Sequence, residues 1–468
     1  MEGYDLVVIG AGPAGEKGAA QAAYFGKRVA LIEKRSVGGS MVNTGTLPSK
    51  TLRETALYLS GLAQRGLYGV ERTLNKEVTV RDLFYRRDLV AENQLNLIHE
   101  NIDRHNIDFS RGTATLEDAH TVRVRGADDQ SFTLRGTYIL LATGGRPHHP
   151  PEVPFDARYV YDSDDILELE QIPSSLIVVG AGVIGSEYAT IFAALGLPVT
   201  LVDAGSRLLP FVDGEIAGIL QQRMRELGAR QRFECRVESI RVEPENDRVS
   251  VCLASGEEMH ANAVLWCRGR DANSEGSGLE ALGIKTGRHG TIQVNGNFQT
   301  AVPNIYAAGD VIGFPSLAST SMEQARVAVC HAFGFEYKKE VSSLIPYGIY
   351  TIPEISMVGE SEDSLRASGE EYLVGRASYR INPRGQIIGD TSGLVKLLFR
   401  PADQRLLGVH IIGERASELV HIGQACLYYG GTIDFFIQNV FNFPALSDLY
   451  KYAAYDGLGN LQRYHEVK

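Results

Sequence analysis

Two glycine runs at matched spacing carry the chemistry that is easiest to read. Gly10-Ala11-Gly12-Pro13-Ala14-Gly15 follows an apolar run at 4–9 and opens an alanine-rich helical stretch to about residue 25; a second strand at 27–32 closes on Glu33. In such a unit Gly10 makes the tight turn, Gly12 lets a pyrophosphate approach the backbone, and Gly15 permits close helix–strand packing. The first helical turn offers unpaired N–H groups and a positive dipole end to the phosphates. Glu33, about twenty residues on, is placed to accept ribose hydroxyls. The unit recurs as a strand at 175–179, Gly180-Ala181-Gly182-Val183-Ile184-Gly185, a helix at 186–195 and a strand at 199–202 that closes on Asp203. Two dinucleotide sites in one chain imply two nucleotides facing each other, with a hydride passing between them. An acid at 203 favours an unmodified ribose and opposes a 2′-phosphate. Arg207 is the cation close enough in sequence to help the phosphorylated nucleotide.

The elements that must position these runs extend over the whole chain. Residues 52–106 read as largely helical, and 113–134 as short alternating strands. Residues 138–146 read as an apolar strand ending in Ala142-Thr143-Gly144-Gly145-Arg146, with Thr143 and Gly144 as candidate cofactor-binding residues. Pro147, Pro150, Pro151 and Pro154 break regular structure and place a boundary near 150. A strand at 263–270, ending in Gly269 and Arg270, marks the return from the second nucleotide unit. The strand at 304–308 delivers Gly309-Asp310, an acid placed to hold a ribityl hydroxyl. The helix that follows, at 317–333, directs its N-terminus near Ala318 toward negative charge on a flavin ring. From 347 the pattern turns to alternating strands and then helices, with no glycine motif.

Composition narrows the function classes. The 468 residues exceed one core and suggest about three domains of roughly 100–200 residues. A net charge of −11 argues against nucleic-acid or anionic-membrane surfaces. Cys235, Cys252, Cys267, Cys330 and Cys426 lie far apart with no C-x-x-C or zinc-type spacing, so no metal site is expected and reduced thiols in a cytoplasmic protein are the natural reading. The N-terminus leaves no room for a signal peptide, and no apolar stretch of about 18 residues suggests a membrane span.

With both glycine motifs, Asp310 and the segment Gly39-Ser40-Met41-Val42-Asn43-Thr44-Gly45-Thr46-Leu47-Pro48-Ser49-Lys50 in place, the chain resembles the flavin-dependent pyridine nucleotide–disulfide oxidoreductases over its whole length. Within them it is most similar to the transhydrogenase branch, through Gly45–Lys50, Gly182-Val183-Ile184-Gly185-Ser186-Glu187-Tyr188, the runs 299–306, 310–319 and 348–356, and, further on, 413–416 and 421–424. The resemblance implies an α/β fold with two Rossmann-like dinucleotide-binding domains and a C-terminal α+β dimerisation domain. It divides the chain into 1–150 and 275–344 for FAD, 151–274 for NAD(P), and 345–468 for the interface of a homodimer or larger oligomer.

The same resemblance sets the expected chemistry. Disulfide reductases carry two cysteines where this chain has Met41 and Thr46, and a histidine–proline base where it has Phe443-Pro444. Neither a thiolate to attack a disulfide nor a base to move its proton is present. Thr46 is the typical residue of the transhydrogenase branch. Lys50 matches the lysine beside flavin N5 and is expected to pair with Glu187, while Val183 stands where some relatives place a tyrosine over the flavin. The implied activity is hydride transfer between NAD(H) and NADP(H) through flavin N5 in a ping-pong sequence. The alternatives are an NADH-preferring diaphorase or quinone reductase, for which Asp203 speaks, and a flavoprotein retained for binding or assembly.

Overall fold

The computed structural model describes residues 2–61 and 78–467. It divides into two compact units: Met1–Thr51, Phe84–Pro150 and Arg268–Ser342 form the first, and Leu52–Leu83, Pro151–Cys267 and Ser343–Lys468 the second. The helical reading of 52–106 is met by helices Thr46–Ser60 and Val80–Arg104; its middle, 62–77, lies outside the described residues.

The first unit is built on a seven-stranded sheet. Asp108–Arg111, Val29–Glu33, Glu2–Ile9 and Ser131–Leu141 lie side by side in parallel, and Ile305–Ala307 adds a further parallel strand to Ser131–Leu141. Leu6, Val8, Leu31 and Leu140 face one side, where they pack on helices Pro13–Tyr24 and Ala318–Phe333; Val7, Ile9, Ala30 and Ile139 face the other. Burial on both faces explains why these strands read as unbroken apolar runs rather than alternating ones. The stretch at 138–146 is not one strand. Ser131–Leu141, paired on both sides within the sheet, ends at Leu141, and Gly145–Pro147 begins a separate antiparallel ribbon with Arg270–Ala272. Gly144, at φ +72°, makes the break between them.

Among the described residues the second unit contains three sheets. Arg230–Arg232, Val199–Val202, Leu176–Val179, Ala263–Trp266 and Val160–Tyr161 form a wholly parallel sheet in that order, with Val237–Glu243, Arg248–Leu253 and Glu258–Ala261 as an antiparallel sheet beside it. The C-terminal five-stranded antiparallel sheet runs Tyr347–Ile349, Ile355–Gly359, Leu406–Ile412, Leu394–Phe399, Leu373–Ser378, and helices Ala416–Tyr428 and Leu449–Val467 cover it. Lys396 interrupts the apolar strand Leu394–Phe399 and is 1% exposed. Its ammonium lies 2.9 Å from both carboxylate oxygens of Asp213 and 3.0 Å from Glu215, and also meets Glu362. Burial would lower the Lys396 pKa, but the Glu362 and Asp213 carboxylates hold it above its ordinary value.

Candidate active site: two glycine cradles

In the first unit Gly10 adopts φ +101°, and a Cβ there would lie 2.3 Å from the Ala142 carbonyl oxygen. A Cβ on Gly15 would meet the Gly10 carbonyl oxygen at 1.8 Å, closer than any atoms pack. Helix Pro13–Tyr24 starts with no side-chain cap, which leaves its first N–H groups for a ligand. Glu33 fixes the loop: one carboxylate oxygen accepts from the Ala11 N–H at 2.8 Å and the other from Arg35 N–H at 2.8 Å. A carboxylate has about four acceptor positions, so each oxygen keeps one for a ribose hydroxyl.

The second unit repeats this geometry. Gly180 has φ +116°, and a Cβ on Gly185 would stand 1.8 Å from the Gly180 carbonyl oxygen. Helix Val183–Ala194 likewise begins without a side-chain cap, and Val183 is its first residue. Asp203 accepts from Ala181 N–H at 2.8 Å and Gly205 N–H at 2.6 Å, again one amide per oxygen. Open space surrounds Gly182, with no atom within 4 Å of where its Cβ would be. Such space next to unpaired amides fits a diphosphate.

Other expected residues gather in the first unit. Asp310 opens a short 3-10 turn directly after strand Ile305–Ala307, and its neighbour Gly309 donates to Gln324 Oε1 at 2.9 Å. Burial pushes the Asp310 carboxyl up, opposed by the Arg270 guanidinium. Helix Ala318–Phe333 begins uncapped at Ala318. Gly269, at φ +97°, accepts from His148 N–H and starts the return ribbon. The carbonyls of Thr143 and Gly144 are both taken by Asn273, while Thr143 Oγ1 is buried with no hydrogen-bond partner. An orphaned buried hydroxyl costs about 1–3 kcal/mol, which a bound cofactor with a polar edge would offset. Thr46 opens helix Thr46–Ser60, and Met41 packs its side chain against the apolar core of the first unit. Lys50, one turn along that helix, donates to Ser49 Oγ at 3.3 Å.

Glu187 belongs to the second unit, is 3% exposed, and accepts from the Tyr350 N–H at 2.8 Å. Arg207 is drawn to one side: its guanidinium donates to the Pro210 carbonyl and to Asp363 at 3.1 Å. Asn273, Tyr350 and Asp363 are the residues that sequence reasoning missed. Asp363 lies 156 residues from Arg207, and no local pattern marks either as the other's partner. All five cysteines are free; burial pushes Cys426 up to about 11 and Cys267 further still, so neither is a ready nucleophile.

Two glycine turns, each with an acid on its alanine amide and an uncapped helix behind it, are the frame of a dinucleotide-binding oxidoreductase. A family model for pyridine nucleotide-disulphide oxidoreductases matches residues 4–332, and one for the dimerisation domain of the same group matches 345–454. The chain belongs to the pyridine nucleotide-disulphide oxidoreductase family, which is flavin-dependent and uses NAD(P)H. It is 44% identical to the soluble pyridine nucleotide transhydrogenase of Mycobacterium tuberculosis over 100% of both chains. It is 40% identical to that of Hahella chejuensis over 98% of this chain and 99% of the relative. Among solved structures, LpdA from Mycobacterium tuberculosis superposes with a TM-score of 0.89 at 27% identity, over 96% of this chain and 99% of that one. The HOCl-induced flavoprotein disulfide reductase RclA from Escherichia coli gives 0.85 at 28%, with the same coverage.

Proposed function

We propose that this protein is a transhydrogenase that exchanges hydride between NAD(H) and NADP(H) through FAD, with no dithiol relay. The observation that carries the reading is a pair of complete glycine cradles in a chain whose positions 41 and 46 are methionine and threonine and whose cysteines are all free. When bound, FAD supplies an N5 atom that takes up a hydride and gives it back. The chain's own groups hold and orient. In the first cradle the Gly12 backbone and the uncapped helix receive a pyrophosphate, Glu33 a ribose, Asp310 a ribityl hydroxyl, and the helix start at Ala318 the ring's negative edge. Thr46, Thr143, Gly144 and Gly269 line the cofactor.

In the second cradle Gly180, Gly182, Val183 and Gly185 receive the nicotinamide nucleotide, with Asp203 reading its ribose and Arg207 answering a 2′-phosphate. Lys50 supplies positive charge toward the electron-rich ring, and Glu187, fixed by the Tyr350 amide, orients the nicotinamide; their expected pairing rests on the family resemblance. Phe443 has no proton to exchange, which suits a reaction whose acceptor is a second nicotinamide. FAD binding by 1–150 with 275–344, nucleotide binding by 151–274, and a homodimer built on 345–468 complete the reading. Support for the homodimer comes from apolar side chains left in solvent on the last segment, Val440 at 93% and Phe443 at 72% among them. Five unpaired cysteines fit a cytoplasmic setting.

Steady-state kinetics test the reading. NADPH oxidation by NAD⁺ should give parallel double-reciprocal lines, and the rate should fall by at least about tenfold in Lys50→Met, a change equal to about 1.4 kcal/mol of transition-state stabilisation. NADH oxidation that proceeds with a quinone but not with any nicotinamide acceptor would replace transhydrogenation with the diaphorase reading.

A further inference from the structure

Three side chains of the first unit converge outside both cradles: His148, Asp271 and His289. In the ribbon Gly145–Pro147 with Arg270–Ala272, Asp271 lies directly opposite Arg146. His148 comes two residues after Arg146, so strand alternation puts it on the same face as Asp271. Its backbone N–H is tied to the Gly269 carbonyl at 3.1 Å. His289 arrives from the tight turn Arg288–Gly290 with φ 57°, a left-handed conformation rare for a residue with a Cβ. That turn is clamped by Gly287 N–H on the Thr291 carbonyl at 2.7 Å and by Ser274 Oγ on the Gly290 carbonyl at 2.6 Å.

The result is a preorganised donor set. His148 Nδ1 lies 2.8 Å from one oxygen of Asp271 and His289 Nδ1 2.8 Å from the other, and the three ligand atoms fall within 4.8 Å of one another. The imidazole rings stand nearly perpendicular, 86° apart, so they approach the carboxylate from different directions. Arg146, the cation facing Asp271 across the ribbon, is drawn off by Asn273 at 3.4 Å and Glu275 at 3.2 Å. The three side chains are 34%, 23% and 36% exposed, open to an ion from solvent.

We propose that His148 Nδ1, the Asp271 carboxylate and His289 Nδ1 bind one divalent transition-metal ion of the Zn²⁺ or Cu²⁺ class, with water in the remaining positions. Two imidazole nitrogens and one carboxylate form a borderline set that suits these ions rather than Mg²⁺ or Ca²⁺. Ligand atoms bound at about 2.1 Å stand roughly 3.4 Å apart around a tetrahedral ion and roughly 3.0 Å apart at right angles, so the two 2.8 Å pairs, each on its own Asp271 oxygen, must open by a few tenths of an ångström as the metal enters. Each neutral imidazole moves its proton from Nδ1 to Nε2 as the metal enters, and nothing is oxidised or reduced. The ion would clasp the strand by which the chain leaves the first unit after Pro150 to the strand by which it returns from Arg268.

The test uses the flavin-loaded protein freed of metal by chelation. Titration with Zn²⁺ against a chromophoric chelator should give one tight site per chain. Alanine at either histidine, His148→Ala or His289→Ala, should weaken it by at least about tenfold while flavin content and near-UV circular dichroism stay unchanged. One equivalent of Cu²⁺ should give an electron paramagnetic resonance spectrum coupled to two nitrogens in the wild type and to one in each variant. Should alanine unfold the ribbon, His289→Gln provides the softer change and the wild-type copper spectrum decides alone. A wild-type copper spectrum without nitrogen coupling overturns the proposal. Zn²⁺ affinity equal in wild type and variants does so too, since it assigns the binding to others of the 11 histidines.

Discussion

The two glycine cradles share their frame and differ in how they are closed. In both, the first glycine N–H donates at 2.8 Å to the end of the next strand, to Ile32 in one unit and Val202 in the other. In both, an acid holds the following alanine N–H at 2.8 Å. The carbonyl of that alanine is also taken in each, by Gly38 N–H at 2.7 Å in the first unit and Leu209 N–H at 3.0 Å in the second. At this last contact the likeness ends. The first cradle continues into Gly39, whose backbone lies so near Gly12 that a Cβ would meet the Gly12 Cα at 2.8 Å. The second continues into a loop that carries Arg207 and leaves Gly182 in open solvent. A cradle walled by backbone suits a nucleotide that stays, and an open one suits a nucleotide that must leave each turnover.

That contrast can be broken most severely at the third glycine of each run. Gly15→Ala should yield protein without flavin, read from its visible absorbance, because the new methyl would overlap the Gly10 carbonyl. Gly185→Ala carries the same 1.8 Å overlap in the second cradle. It should keep the flavin while losing its bleaching by NADH and NADPH alike. Flavin loss from both variants, or from neither, would erase the distinction between resident and exchanging sites.

A smaller change sharpens the nicotinamide side. Asp203→Ala removes a charged acceptor, for which hydrogen bonds are worth about 1.5–3 kcal/mol. NADH should lose roughly 10–100-fold in kcat/KM while NADPH is spared, apart from a loosened Ala181 amide common to both. An unchanged NADH to NADPH ratio would show that Asp203 does not read the ribose. Asp363→Asn, which releases Arg207 from an exposed ion pair, should lower the KM for NADPH by about two- to fivefold, in keeping with the weak energy of such pairs. The smallest expected effect is none: Met41→Cys with Thr46→Cys should not create disulfide reduction while Phe443 remains, and substantial turnover of a disulfide would contradict the account of the missing base.

The parts legible in the sequence are those where a residue's own backbone demands decide. Gly10, Gly15 and Gly185 announce the cradles because no side chain fits those approaches, Gly180 because its φ of +116° disfavours a side chain, and Glu33 and Asp203 follow at the end of the next strand. Fully buried strands such as Leu176–Val179 show as unbroken apolar runs for the same local reason. What stayed hidden depends on distant partners. The apolar stretch 138–146 looked like one strand because nothing in its side chains signals that the backbone leaves the sheet after Leu141 and re-pairs with Arg270–Ala272. Arg207 looked available for a phosphate, and only the folded chain shows Asp363 holding it. Lys396 sits within an apolar strand and gains its three carboxylates from segments far away in sequence. His148, Asp271 and His289 share no motif, since a β-ribbon and a separate turn bring them together.

The central claim is that one flavin serves two nicotinamide nucleotides in succession without a thiol. Its most direct test is anaerobic: reduce the flavoprotein with one equivalent of NADPH, remove the nucleotide by rapid gel filtration, and add NAD⁺. The account predicts return of the oxidised flavin spectrum with one equivalent of NADH formed per flavin. Flavin that stays bleached under NAD⁺, yet reoxidises at once with a quinone, would contradict it.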